Sequence, residues 1–416
     1  MVANRFSRAR EGTQIKTSKQ KSVRNPFKQN PFRCRNVLGI VILSCVFTFS
    51  ILTLLRTPRS TGDALKETTS SEDFTDFLVE LARLPTADLR KKLYDDDIFQ
   101  LAALEAAQSK SVFRSCPLAS LPPWVPPSAL SPRVYQRSSQ VIWYEHLSKA
   151  GGTSFCKLAQ TNLNNVTEVP AHYCMPGDGH MKDGRVGLWN TSKLIKYREK
   201  NPLIKIVANE WNPFPPDRWK LADQLFFVTT IRDPLDRLVS AYQFWGVMLN
   251  RRRNKPTFEE WIVKKRETSF NMSAFDPGLY IHIARFNFLA WKFSNGTMPQ
   301  GDVSANTSKG LPLGVSRQDE DLWLVPFVMA AKTLSKFDLV LILELMSSHS
   351  SRMLVETLGW TNLAKIHVVS TGTIKDSRAS QALSKDVYDA LWEGNRFDMI
   401  LYLWMKAVQM VRSQCS

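Results

Sequence analysis

At 416 residues, 44% hydrophobic and 22% charged, the chain is long enough to bury a full-sized core and too apolar to be an intrinsically disordered protein. Its formal net charge is +17, and about half of that excess sits before Val37, where ten lysines and arginines accompany a single acid, Glu11. Such an arm serves either a nucleic acid or a membrane, and the segment that follows it decides for the membrane.

That segment, Val37–Leu55 (VLGIVILSCVFTFSILTLL), holds no charged residue and is close to the ~20 residues with which a helix crosses the hydrocarbon core. A cleaved signal peptide has a shorter apolar stretch, roughly 7–15 residues, followed by a small-residue cleavage site. Here Arg56 follows directly. The charge asymmetry reads as a signal anchor of type II topology, with residues 1–36 cytosolic and everything after Arg56 on the far side. Asn-x-Ser/Thr sequons begin at Asn165, Asn190, Asn271, Asn295 and Asn306, all on that side. Four cysteines (Cys116, Cys156, Cys174 and Cys415) also fall there, without the CxxC spacing of a zinc site.

Residues 56–137 read as a stem. Within it, Phe74, Phe77, Leu78, Leu81, Leu84, Leu89 and Leu93 recur at near-helical spacing over 71–110. Six prolines in 117–132 exclude a regular helix and predict a stiff, extended connector.

From Ser138 to Ser416 the pattern alternates. Strands are predicted at 141–146 (VIWYEH), 203–209 (LIKIVAN), 224–231 (QLFFVTTI) and 338–343 (DLVLIL), with helices between them and a helical tail over 381–411. This is an α/β domain, a mainly parallel sheet flanked by helices, and such sheets bind ligands at the carboxyl ends of their strands.

Two loops at those ends carry chemistry. The first, His146-Leu147-Ser148-Lys149-Ala150-Gly151-Gly152-Thr153-Ser154-Phe155, lies between a strand and a helix. Its glycines let the backbone approach an anion, the helix start offers free amides, and Lys149 adds a positive charge. It is not a Walker A loop, because lysine precedes the glycines. The second is Arg232-Asp233-Pro234-Leu235-Asp236-Arg237-Leu238-Val239-Ser240-Ala241-Tyr242. Pro234 suits a first helical turn, and Arg237 and Ser240, three apart, lie on neighbouring parts of one face. An arginine and a hydroxyl suit a phosphate monoester.

Together, in this order and each after a strand, the loops resemble the two nucleotide-binding motifs of sulfotransferases, in particular the Golgi carbohydrate O-sulfotransferases that include those acting on heparan sulfate. The pattern TIKDSR, a helix, then NRFDMILY is also similar to the family's C-terminal part. The resemblance, over roughly 139–412, implies a P-loop-like sulfotransferase fold, 3′-phosphoadenosine 5′-phosphosulfate as co-substrate, no metal, a glycan acceptor, and a Golgi membrane location. Carried over by position, Lys149 neutralises the departing phosphate; Ala150, Gly151, Gly152, Thr153 and Ser154 hold the 5′-phosphate; Arg232 and Ser240 hold the 3′-phosphate. Lys375 and Arg378 are further candidates for the nucleotide pocket.

The general base is read less directly. Relatives place a histidine or a glutamate soon after a middle strand, and here IVANEWNPF offers Glu210, with His172 and His180 as alternatives. Two other functions stay open: a type II glycosyltransferase using a nucleotide sugar, for which Asp319-Glu320-Asp321 supplies the acidic letters, and an inactive glycan-binding relative. Cys156 and Cys174 are the expected disulfide.

Overall fold

The fold is built on β1 (Val141–Glu145), β2 (Ile206–Asn209), β3 (Leu225–Ile231) and β4 (Leu339–Ile342), all parallel, in the order β2-β1-β3-β4. Every residue of every strand is buried, which is why each reads as an unbroken apolar run rather than an alternating one. All four fall inside their predicted ranges. The register pairs Glu145 with both Asn209 and Thr229, and Ile231 with Ile342, so the carboxyl ends of the strands finish side by side.

The computed structural model describes residues 66–108, 122–130, 133–164, 167–177, 184–244, 257–258, 287–296, 317–364 and 383–415. Val37–Leu55, His180, Lys375, Arg378 and the sequons at Asn165, Asn271 and Asn306 lie outside them. Among the described residues no helix is long and apolar enough to cross a membrane.

Helices in chain order are α1 (Lys66–Arg83), α2 (Thr86–Arg90), α3 (Leu101–Gln108), α4 (Gly152–Asn162), α5 (Thr191–Lys200), α6 (Pro234–Ala241), α7 (Phe288–Phe293), α8 (Arg317–Ser335), α9 (His349–Leu358), α10 (Lys385–Gly394) and α11 (Arg396–Cys415). They cover both faces of the sheet. Alternate strand residues feed two cores: Trp143, Val207, Phe227 and Val340 face one side with α7, α8 and α11, and Tyr144, Ala208, Val228 and Leu341 face the other with α4 and α9.

The predicted stem is not separate from this body. Phe74, Leu78, Leu81, Leu89, Leu93, Phe99, Trp124 and Ala129 are buried in the larger core. Phe74 stacks on Trp404 of α11 at 5.5 Å, and Trp404 Nε1 donates to the Trp124 carbonyl at 2.7 Å. Arg396 Nη2 donates to the Ala82 carbonyl at 2.9 Å. The single helix expected over 71–110 is interrupted because Pro85 ends α1 and stands as the cap residue of α2. Asp97 then accepts from the amides of Leu101 and Ala102, at 2.8 and 2.7 Å, to start α3. The proline segment, predicted as an extended connector, forms a buried strap at Trp124–Pro126 followed by a short 3₁₀ turn at Pro127–Leu130.

Candidate active site

The chain leaves β1 through a tight loop. Ala150 N–H donates to the Leu147 carbonyl at 3.1 Å, and Lys149 and Gly151 are left-handed, with φ of 68° and 91°. At Gly151 a side chain would be strained by that φ and would lie 2.7 Å from Leu343 Cδ1. At Gly152 a Cβ would stand 1.7 Å from His146 Nε2. Both glycines are therefore required for the loop to turn into α4 against the imidazole. The first amides of this 11-residue helix are left without carbonyl partners inside it. Thr153 is exposed and Ser154 buried.

Lys149 is half-buried, its Nζ 4.0 Å from the Phe244 ring centroid. Burial pushes its pKa down to about 8; the charge of Glu210 opposes that shift and Arg232 adds to it. Glu210 and Arg232, from two further strand ends, thus both sit within electrostatic reach of Lys149.

Arg232 leaves β3 and donates from Nη1 to the Lys149 carbonyl at 3.4 Å, with Nε 4.0 Å from Glu344. Asp233 caps α6 by accepting from Leu235 and Asp236 amides at 2.9 and 3.0 Å, with Pro234 in the first turn as predicted. Burial raises Asp233 to about 6. Ser240 is half-buried on the same helix. Arg237 is a correction: rather than sharing a ligand-facing surface with Ser240, it is buried beneath α7, its guanidinium 4.2 Å from the Phe288 ring centroid. Burial lowers its pKa to about 10 against the opposing charge of Asp398.

Glu210 follows β2, its side chain only 12% exposed and Oε2 3.6 Å from His146 Nδ1. Its rival His172 sits in a turn along β2, edge-on to Tyr173 at 5.0 Å. Cys174 in that turn is disulfide-bonded to Cys156 of α4, with Cα atoms 5.8 Å apart, and its carbonyl accepts from Ala208 N–H at 2.8 Å. This staple joins the helix of the glycine loop to a turn that is hydrogen-bonded to β2, the strand that precedes Glu210.

A family model described as the sulfotransferase family matches residues 133–402, a span that includes all four strands and both loops. The chain belongs to the sulfotransferase family. A comparison with individual curated proteins gives no match.

In this sulfotransferase the residues that sequence reasoning missed lie behind Glu210. Lys292, on α7 and fully buried, places Nζ 2.8 Å from Glu145 Oε1, 3.1 Å from the Asn209 carbonyl, 3.0 Å from that of Glu210 and 2.5 Å from that of Asn212. Glu145 also accepts from Asn209 Nδ2 at 2.7 Å and Trp143 Nε1 at 2.9 Å. Burial works against both charges, and their pairing opposes it on each side. An ammonium with four acceptors and a carboxylate with three donors are what an interior ion pair requires. Glu145 was hidden at the end of an apolar run, and Lys292 sits in the otherwise hydrophobic FLAWKF. The signal that finds them is a charge inside a buried element.

Removing one partner strands the other. Lys292→Met is expected to cost the enzyme about 3–5 kcal/mol in denaturant unfolding. The double variant Glu145→Gln/Lys292→Met recovers most of that loss, since it leaves no lone buried charge. Equal stability for Lys292→Met and wild type in the same titration rejects the buried pair.

Proposed function

We propose that this sulfotransferase moves a sulfuryl group from 3′-phosphoadenosine 5′-phosphosulfate to a glycan hydroxyl by in-line displacement. The observation that carries the reading is the meeting of Lys149, Arg232 and Glu210 around the open first turn of α4. The residues present fit the donor: amides of Gly152–Ser154 at a helix start, two glycines where any Cβ would collide, and two adjacent cations.

When bound, the donor supplies a sulfuryl group attached to a phosphate that leaves with the bridging oxygen. The helix amides and Thr153 hold the 5′-phosphate, while Arg232 and Ser240 hold the 3′-phosphate. Lys149 Nζ neutralises charge on the departing phosphate. Glu210 takes the proton of the acceptor hydroxyl onto its carboxylate and is thereby neutralised. The acids that a nucleotide-sugar reading would recruit, Asp319-Glu320-Asp321, fall in the first turns of α8, where acids suit a helix start.

Transfer of radiolabelled sulfate from the donor to a panel of glycans, peptides and glycolipids tests the assignment. Label in a glycan is expected. Label confined to peptide tyrosines or lipids overturns the acceptor class, and no transfer to any of them overturns the activity.

The same reading places the enzyme in the Golgi membrane, anchored by Val37–Leu55, with the catalytic body luminal. Asn190 and Asn295 are exposed, and Asn190 caps α5 through Oδ1, which accepts from Lys193 N–H at 2.8 Å. A glycan on its Nδ2 leaves that cap in place. Expressed in cells, the full chain should lose apparent mass on glycosidase treatment and resist protease in sealed microsomes. An unglycosylated, protease-sensitive product contradicts the topology.

A further inference from the structure

His146 stands at the junction of the donor loop and Glu210, and the proposed mechanism gives it no work. It is the first residue after β1 and is 5% exposed. Three contacts fix it. Its amide donates to the Asn209 carbonyl at 3.1 Å, its ring lies 5.6 Å from that of Tyr144 with 19° between the planes, and its Nε2 edge fills the space that a side chain at position 152 would need. The ring is thus held by β1, by the strand carrying Glu210 and by α4.

What remains is Nδ1. This atom is buried, has no hydrogen-bond partner, and lies 3.6 Å from Glu210 Oε2. Leaving a buried polar atom unsatisfied costs about 1–3 kcal/mol. The charged groups around the ring are Glu210, Lys149 and Lys292; burial lowers its pKa, so the imidazole is neutral at neutral pH and carries one N–H. Beside a carboxylate that N–H belongs on Nδ1. Hydrogen bonds of catalytic groups are commonly long before substrate binds and shorten in the complex.

We propose that His146 is a positioning residue for Glu210: its Nδ1–H engages Oε2 as the site fills, leaving Oε1 to face the acceptor hydroxyl. The inference rests on Glu210 being the base. Lys292 already fixes the main chain of the Glu210 turn through three carbonyls. The side chain beyond that turn still has its own torsions, and a bond from His146 restrains the orientation of the carboxylate. Holding a reacting group to within an ångström is worth about a hundredfold in rate.

The experiment compares His146→Leu with His146→Asn, whose amide can place an N–H near the position of Nδ1. Turnover is read as sulfate transfer to the accepting glycan of the panel, and donor-site integrity as the Kd of adenosine 3′,5′-bisphosphate. His146→Leu is expected to lower kcat about a hundredfold with nucleotide Kd little changed. His146→Asn should recover most of the rate. In a Glu210→Gln background, His146→Leu should add no further loss, because it acts through that carboxylate. Wild-type kcat in His146→Leu, an equal loss in both variants with weakened nucleotide binding, or full additivity with Glu210→Gln each overturns the proposal. If the leucine variant does not fold, His146→Gln replaces it; its amide reaches the place of Nε2 instead, so Asn active and Gln impaired supports the role, and the reverse order overturns it. Glu210→Gln at wild-type rate sinks the base reading and this inference together, whereas an inactive Glu210→Gln beside a fully active His146→Leu sinks this inference alone.

Discussion

Lys149→Ala is expected to lower turnover by about a hundredfold or more, the scale for losing a preorganised charge at the site where charge develops. The ammonium comes from a left-handed residue and lies within electrostatic reach of Arg232 and Glu210. Its removal should not unfold the protein. A lysine whose folded pKa of about 8 lies below its unfolded value of 10.5 carries a folding penalty when protonated, full below pH 8 and relieved as pH rises through that range. Losing the charge therefore removes a penalty, set against the packing of its stem near Phe244. The same shift gives a pH signature. In free enzyme the ammonium is present below about 8 and lost above it, so kcat/KM for the donor should fall on the alkaline side. Lys149→Arg should abolish that limb, whatever it does to the rate. Arg232→Ala and Ser240→Ala should chiefly weaken binding of adenosine 3′,5′-bisphosphate. Full turnover in a folded Lys149→Ala protein counts against the whole mechanism.

Glu210→Gln is the second large effect, an expected loss of about 10²–10⁴ in kcat, the range for a positioned general base. Glutamine keeps the size and one acceptor of the carboxylate, and the turn beneath it is held through main-chain carbonyls that the substitution does not touch. Nucleotide affinity should therefore survive. The measurement is kcat and nucleotide Kd for Glu210→Gln beside His172→Ala and His180→Ala. Activity retained in Glu210→Gln and lost in either histidine variant transfers the role of base to that histidine.

Much of this was legible because parallel strands buried on both faces announce themselves as apolar runs, and all four lie where those runs fall. The glycine loop was legible for a related reason: a left-handed Gly151 and a Gly152 pressed on an imidazole leave no freedom of residue type. Long-range pairing was not legible. Nothing near Arg237 announces that it turns inward toward Asp398, which accepts from the amides of Leu289 and Ala290 at 2.7 and 2.9 Å and so starts α7. Nothing near Trp124 foretells that its carbonyl receives the indole N–H of Trp404. The burial of the proline segment was hidden for the same reason: prolines rule out a helix but say nothing of whether an irregular segment is buried.

The packing of α11 sets the order of events when the protein is made. Trp404 binds the strap near residue 124, Arg412 donates to the Phe337 carbonyl at 3.0 Å beside β4, and Met405, Val408 and Val411 fill the core beneath the sheet. The ribosome delivers this helix after every other described element. Until it emerges, that face of the sheet is covered only in part, by α7 and α8, and α1 and the strap lack the partner that Trp404 gives them. Contacts between segments far apart in sequence close slowly, because a long loop must be ordered before they form. The nascent enzyme therefore keeps part of its apolar surface exposed until α11 docks. The twenty residues of α11 act as the closing bolt of the sheet's larger core.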